Sequence, residues 1–122
     1  MSTRANIVVT DSYGDTLWFY RHSDGYPEGT MPTLDEFMKR VVTGELRSNA
    51  SQAAGWLIII GHEEYQEVRD KYPSINGWKV GAYEPTTGQH GDIEFLYTLD
   101  LKDKTIEMHN ISSGEKQLLE YK

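Results

Sequence analysis

The stretch Tyr20–Gly29, YRHSDGYPEG, gathers an arginine, a histidine, two carboxylates, two tyrosines and two glycines around one proline. His22 lies two residues from Asp24, and a carboxylate at that distance can orient an imidazole for acid/base work or for holding a metal. Arg21 offers an anion contact. The bland alternative is a turn in which Ser23 or Asp24 bonds backbone amides while the tyrosines pack across it. A second polar segment, YEPTTGQHGDIE, carries Glu84, His90, Asp92 and Glu94 beside two glycines that permit close backbone approach. If both segments leave the same end of one sheet, His22, Asp24, Glu84, His90 and Asp92 form a polar cluster suited to a divalent metal or a hydrolytic water. Trp18, Tyr20 and Tyr26 would add an aromatic, stacking edge.

Recognised catalytic spacings are missing. HEEYQ at His62 is not H-E-x-x-H, because Gln66 stands where the second histidine belongs. No serine sits in a G-x-S-x-G elbow, and neither G-x-G-x-x-G nor a P-loop is present. With no cysteine, disulfides, thiolate nucleophiles and thiolate-held zinc are excluded together. We therefore name no catalytic residue and expect neither metal nor cofactor. The expected binding set is Trp18, Tyr20, Arg21, His22, Asp24, Tyr26, Glu84, His90 and Asp92.

These residues need elements to position them. ANIVVT and TLWFYR are β-rich runs around the turn signal DSYGD, which reads as a hairpin with a five-residue connection. In the second run Leu17 and Phe19 share one face, Trp18 and Tyr20 the other. Thr33 and Glu36 have capping-box spacing, and Leu34, Phe37, Met38, Val41 and Val42 form one helical stripe that Gly44 ends. From Asn49, a second capping pair with Gln52, the pattern Ala50, Ala53, Ala54, Leu57, Ile58, Gly61 and Tyr65 keeps helical period. Leu57 to Ile60 alone also fit a buried strand, but length favours a helix, with a break expected at Gly61 and a polar extension beyond it. WKVGAYEP reads as a strand ended by Pro85, DIEFLYTLDL as a half-buried strand, and TIEMHNI as another. The tail SSGEKQLLEYK is either a short edge strand or loose, and residues 1–4 are expected to be loose too. The order β-β-α-α-β-β-β predicts a single α+β domain over residues 1–122. Its mainly antiparallel sheet has about five strands, with two helices packed on one face.

The whole chain has 122 residues with 38% hydrophobic content, enough for a core without staples. The longest strongly apolar run, WLIII, is far too short for a bilayer span, and the N-terminal run reads as no signal peptide. The expected setting is the cytoplasm. Net charge is −7. Such a surface repels phosphate backbones, so direct nucleic-acid binding is disfavoured and basic protein partners are favoured.

Taken together, FYRHSDGYPEG, SQAAGWLI and WKVGAYEPTTGQHGDIEFLY resemble small uncharacterised proteins encoded in bacteriophage and prophage genomes, over roughly residues 5–108. The resemblance implies a phage accessory protein acting inside a bacterial host, and it transfers no catalytic role. In that setting the leading expectation is a non-enzymatic binder, active in counter-defence or host takeover. It would block a host protein or sequester a nucleotide signal, the latter with Arg21, Arg47 and Lys79 beside Trp18 or Tyr26. The alternatives are a small hydrolase or nucleotide-modifying enzyme using His22 and Asp24 with His90 or Asp92, and a virion structural or assembly protein. Homo-oligomerisation is expected to be compatible with all three, because strand edges need covering.

Overall fold

The computed structural model describes residues 3–71 and 81–122. Two strands, β1 (Ala5–Thr10) and β2 (Thr16–Arg21), form the first hairpin. Three helices follow: α1 (Pro27–Val42), α2 (Ala50–Glu64) and the short α3 (Gln66–Lys71). The chain closes with β3 (Glu84–Thr86), β4 (Phe95–Asp100), β5 (Thr105–Asn110) and β6 (Lys116–Glu120). The strands form one six-stranded sheet in the order β3-β2-β1-β4-β5-β6, antiparallel except where β1 meets β4. This is the expected α+β architecture, with six strands in place of five.

Alternation decides the two faces. Ala5, Ile7 and Val9 of β1 lie level with Phe19 on β2 and with Tyr97 and Leu99 on β4, and all of these are buried. Leu34, Phe37, Met38 and Val41 of α1, with Ala53, Ala54, Leu57 and Ile60 of α2, complete that core. Each buried Leu, Ile or Phe side chain contributes about 1.5–3 kcal/mol of transfer free energy, so this layer dominates stability. The opposite face carries Trp18, Tyr20, Asn6, Val8, Leu96 and Thr98, of which Asn6 and Val8 are buried. Among the described residues no helix is long and apolar enough to cross a membrane.

The hairpin turn and α2 share one anchor. Asp11 Oδ1 accepts from the amides of Tyr13 and Asp15, and its Oδ2 accepts from Ala50 N at 2.7 Å. Those bonds, led by the one from Ala50, hold the Asp11 pKa below its ordinary value. Asn49 caps α2 from its side chain, as its spacing predicted.

Several expectations need correction. The first helix begins at Pro27, not near Thr33. Pro27 takes the first helical position, where a missing N–H costs nothing, and Thr33 Oγ1 bonds Thr30 O and Tyr83 instead of capping. The second helix runs through Gly61 unbroken. That glycine is needed because an added Cβ would meet Tyr83 at 2.9–3.0 Å. Residues 56–60 are helical, with Ile58 and Ile59 exposed. Of the strand predicted over WKVGAYEP, Val80 lies outside the described residues, residues 81–83 are not in a strand, and Pro85 does not end it but sits inside β3, where an edge position tolerates a residue without a donor. Trp78 and Lys79 lie outside the described residues. The tail takes the first of its two expected forms, the short edge strand β6, and the Tyr121 hydroxyl donates to Asp35 on α1. Thr3 and Arg4 are tied as well, accepting from Gly25 N and Glu94 N.

Candidate functional site

The segment after β2 is wound around Arg21. Strand alternation puts Arg21 on the same face as Phe19, and its side chain is fully buried. The guanidinium forks onto both carboxylate oxygens of Glu64, at 2.9 Å from Nη1 and more closely from Nη2. It also donates to Ser23 O at 2.9 Å and Gly29 O at 3.2 Å, and lies 5.1 Å from the Tyr83 ring centroid. Burial pulls the guanidinium pKa down, but the bond to Glu64 and the surrounding charges of Glu64, Tyr83 and Tyr65 together outweigh it, and the net shift is upward. Burial likewise pushes the Tyr83 phenol up to about 12, against the pull of Arg21. Arg21 therefore fails as the expected anion contact: its donors are turned inward. Tyr83 is likewise a core residue.

Other bonds tighten the same loop. Gly25 donates to Thr3 O, and Gly25 O accepts from the buried Tyr97 hydroxyl at 2.6 Å. Thr30 Oγ1 donates to Asp24 O at 2.8 Å. Asp24 holds a left-handed backbone, φ 56°, which its short polar side chain tolerates. A Cβ on Gly29 would lie 2.6 Å from Asp24 O, so no larger residue fits that approach. The clamped loop presents His22, Asp24 and Tyr26 to solvent, with the Tyr26 hydroxyl donating to Asp24 Oδ1 at 3.3 Å.

The second polar segment comes to the same place. β3 lies beside β2, with Glu84 level with Tyr20 and Thr86 level with Trp18. Residues 87–94 then turn back over the open sheet face. His90 N donates to Oδ1 of the buried Asn6 at 2.7 Å, while Asn6 Nδ2 donates to Phe19 O at 2.8 Å. The His90 ring stacks on Tyr20, centroids 4.2 Å apart and planes within 13°, and its Nε2 is 2.8 Å from Thr86 Oγ1. From the other side, His22 Nδ1 is 3.2 Å from the Tyr20 hydroxyl, with ring centroids 6.0 Å apart. Both histidines thus meet on one tyrosine. Asp92 flanks it, paired with Arg4 at 3.4 Å. Partial burial raises the Tyr20 pKa, and the Asp92 carboxylate adds to the rise, so the phenol stays neutral at physiological pH.

Trp18, Tyr20, His22, Asp24, Tyr26, Glu84, His90 and Asp92 all lie outside the helix-covered core, along one end of β2 and its two flanking loops. The pairing inside this group differs from the expected one. His22 bonds Tyr20 rather than Asp24, and His90 bonds Thr86. Neither His22 nor His90 is bonded to a carboxylate of this group. Among the described residues no three His, Asp or Glu side chains are grouped so as to hold a metal ion. Asn6, Thr86 and Glu64 are positioning residues that the motif search passed over. For Arg21 a signal did exist, since the alternation Leu17, Phe19 continues onto it. Comparison with protein-family models, with curated proteins and with solved structures found no match to this chain.

Proposed function

We propose that this chain is a non-enzymatic binding protein whose recognition surface is the Tyr20 edge: Trp18, Tyr20, His22 and His90, bordered by Asp24, Tyr26 and Glu84. One observation carries the reading, the meeting of two separate loops on the Tyr20 ring. Stacked aromatic and imidazole rings hold a rigid surface at low entropic cost, which is what a protein-recognition hot spot requires.

The charge around that edge selects the partner class. Arg21 is enclosed with Glu64 and Arg4 is paired with Asp92, whereas Asp24, Glu28 and Glu84 are exposed. A nucleotide phosphate would meet carboxylates here, so a basic protein surface suits the site better than a nucleotide. The resemblance to phage-encoded proteins supplies the setting, a bacterial host cytoplasm and a host protein blocked at a basic groove. The enzyme alternative is disfavoured because His22 bonds Tyr20 in place of Asp24, the carboxylate that reading assigned to it.

Capture from bacterial lysate on immobilised protein tests this. The expected result is one stoichiometric partner, held by the wild-type chain and lost with Tyr20→Ala and with Asp24→Lys. Retention of the same partner by both variants rules out the Tyr20 edge as the surface.

A further inference from the structure

The two ends of the sheet are finished differently. At one end β3 has only three residues, and Pro85 removes a donor from its ladder, a common way to blunt an edge. At the other end β6 is five residues long, contains no proline, and among the described residues is paired on one side only.

The hydrogen bonds flanking β6 show which of its backbone groups are unused. Asn110 N donates to Glu115 O, and Tyr121 N donates to Lys104 O. Odd-numbered residues of this segment therefore point their amide groups at β5, and Lys116, Leu118 and Glu120 turn theirs outward. The same three side chains lie on the uncovered sheet face and are exposed, Leu118 at 56%. Neither Lys116 nor Glu120 has an ion-pair partner among the described residues.

We infer that β6 pairs antiparallel with β6 of a second copy about a two-fold axis through Leu118, joining both sheets into one. In this register Lys116 faces Glu120 of the second copy, twice, and Leu118 faces Leu118, while the outward N–H and C=O groups of all three residues meet. Centring the axis on Lys116 or on Glu120 instead sets like charges face to face, which is unfavourable on adjacent strands. KQLLE thus carries the charge pattern of a self-complementary strand. The edge is also preformed. Its hairpin is closed by Gly114 N on Asn110 O, and its far end is pinned by Tyr121 to Asp35 and to Lys104, so pairing needs no rearrangement. The Tyr20 edge lies on β2, across the sheet from β6, so both copies keep it free and the dimer presents it twice.

Sedimentation equilibrium of the full chain over a wide concentration range is the test. A concentration-dependent dimer is expected. Leu118→Pro should leave it monomeric with an unchanged circular-dichroism spectrum, because only an outward N–H is lost. Lys116→Glu and Glu120→Lys should each weaken self-association roughly tenfold, the cost of two mismatched cross-strand pairs. Mixed one to one, these two variants should recover the dimer, since every facing pair is again opposite in sign. The mixing result decides the matter even if the proline variant misfolds. A chain that is monomeric at every concentration, or a dimer indifferent to the charge reversals, overturns the inference.

Discussion

At the end of β2 two successive residues face opposite ways. Arg21 points to the helices and is locked into Glu64, Ser23 O and Gly29 O with no exposed surface. Tyr20 points to the open face, where two histidines approach it and solvent reaches them. A buried charge network fixes the loop, and a half-buried aromatic group uses the rigidity so obtained. The lesson is that Arg21, expected as an anion contact, is structural, while Tyr20 and the two histidines make up the candidate site.

The sharpest way to break this contrast is from the inside. Glu64→Ala leaves a buried guanidinium without its counter-charge and should cost roughly 3 kcal/mol. Denaturant unfolding measures that loss, and a change under about 1 kcal/mol would mean that Arg21 is not a clamp. Gly29→Ala comes next, at about 1–3 kcal/mol, because its Cβ meets the Asp24 carbonyl rather than a side chain that can move. Asn6→Ala removes the tether of residues 87–94 and should cost about 1–2 kcal/mol. Its distinguishing sign is faster amide exchange confined to that loop. Tyr20→Ala, on the exposed side, should shift stability by about 1 kcal/mol at most while abolishing partner capture.

The smallest effect concerns pH. The Asp11 pKa is lowered on folding from 3.8, so its bonds to the first turn and to α2 stabilise the fold fully above that value. That contribution fades as pH falls through the lower folded-state pKa. Asp11→Asn should therefore be less stable than wild type near neutrality, with the difference narrowing on acidification. A thermal-melt series across the acid range checks the direction.

Much of the scaffold was legible because it rests on periodicity. The α1 stripe of Leu34, Phe37, Met38 and Val41, the Asn49 cap and the first hairpin are local patterns with local causes. The start of α1 was not legible, because Gly29 and Pro27 look like turn formers. Their helical state depends on Gly29 fitting against Asp24 and on Arg21 binding its carbonyl, contacts set by tertiary structure. Pro85 misled for a related reason, since only the sheet order reveals that β3 is an edge. The candidate residues were mostly identifiable by type, but their partners were not. Adjacency in the chain suggested His22 with Asp24. The sheet instead set both imidazoles on Tyr20, through a β2–β3 pairing invisible in either segment alone.

The central claim is that an inward clamp presents an outward recognition edge, and a comparison of two variants tests it most directly. Tyr20→Ala and Glu64→Ala, immobilised side by side at a temperature where both are folded, are each challenged with bacterial lysate. Tyr20→Ala should keep its melting temperature within a few degrees of wild type and capture nothing that the wild type captures. Glu64→Ala should melt well below wild type yet retain the same partner with reduced occupancy. Undiminished capture by Tyr20→Ala would contradict the account.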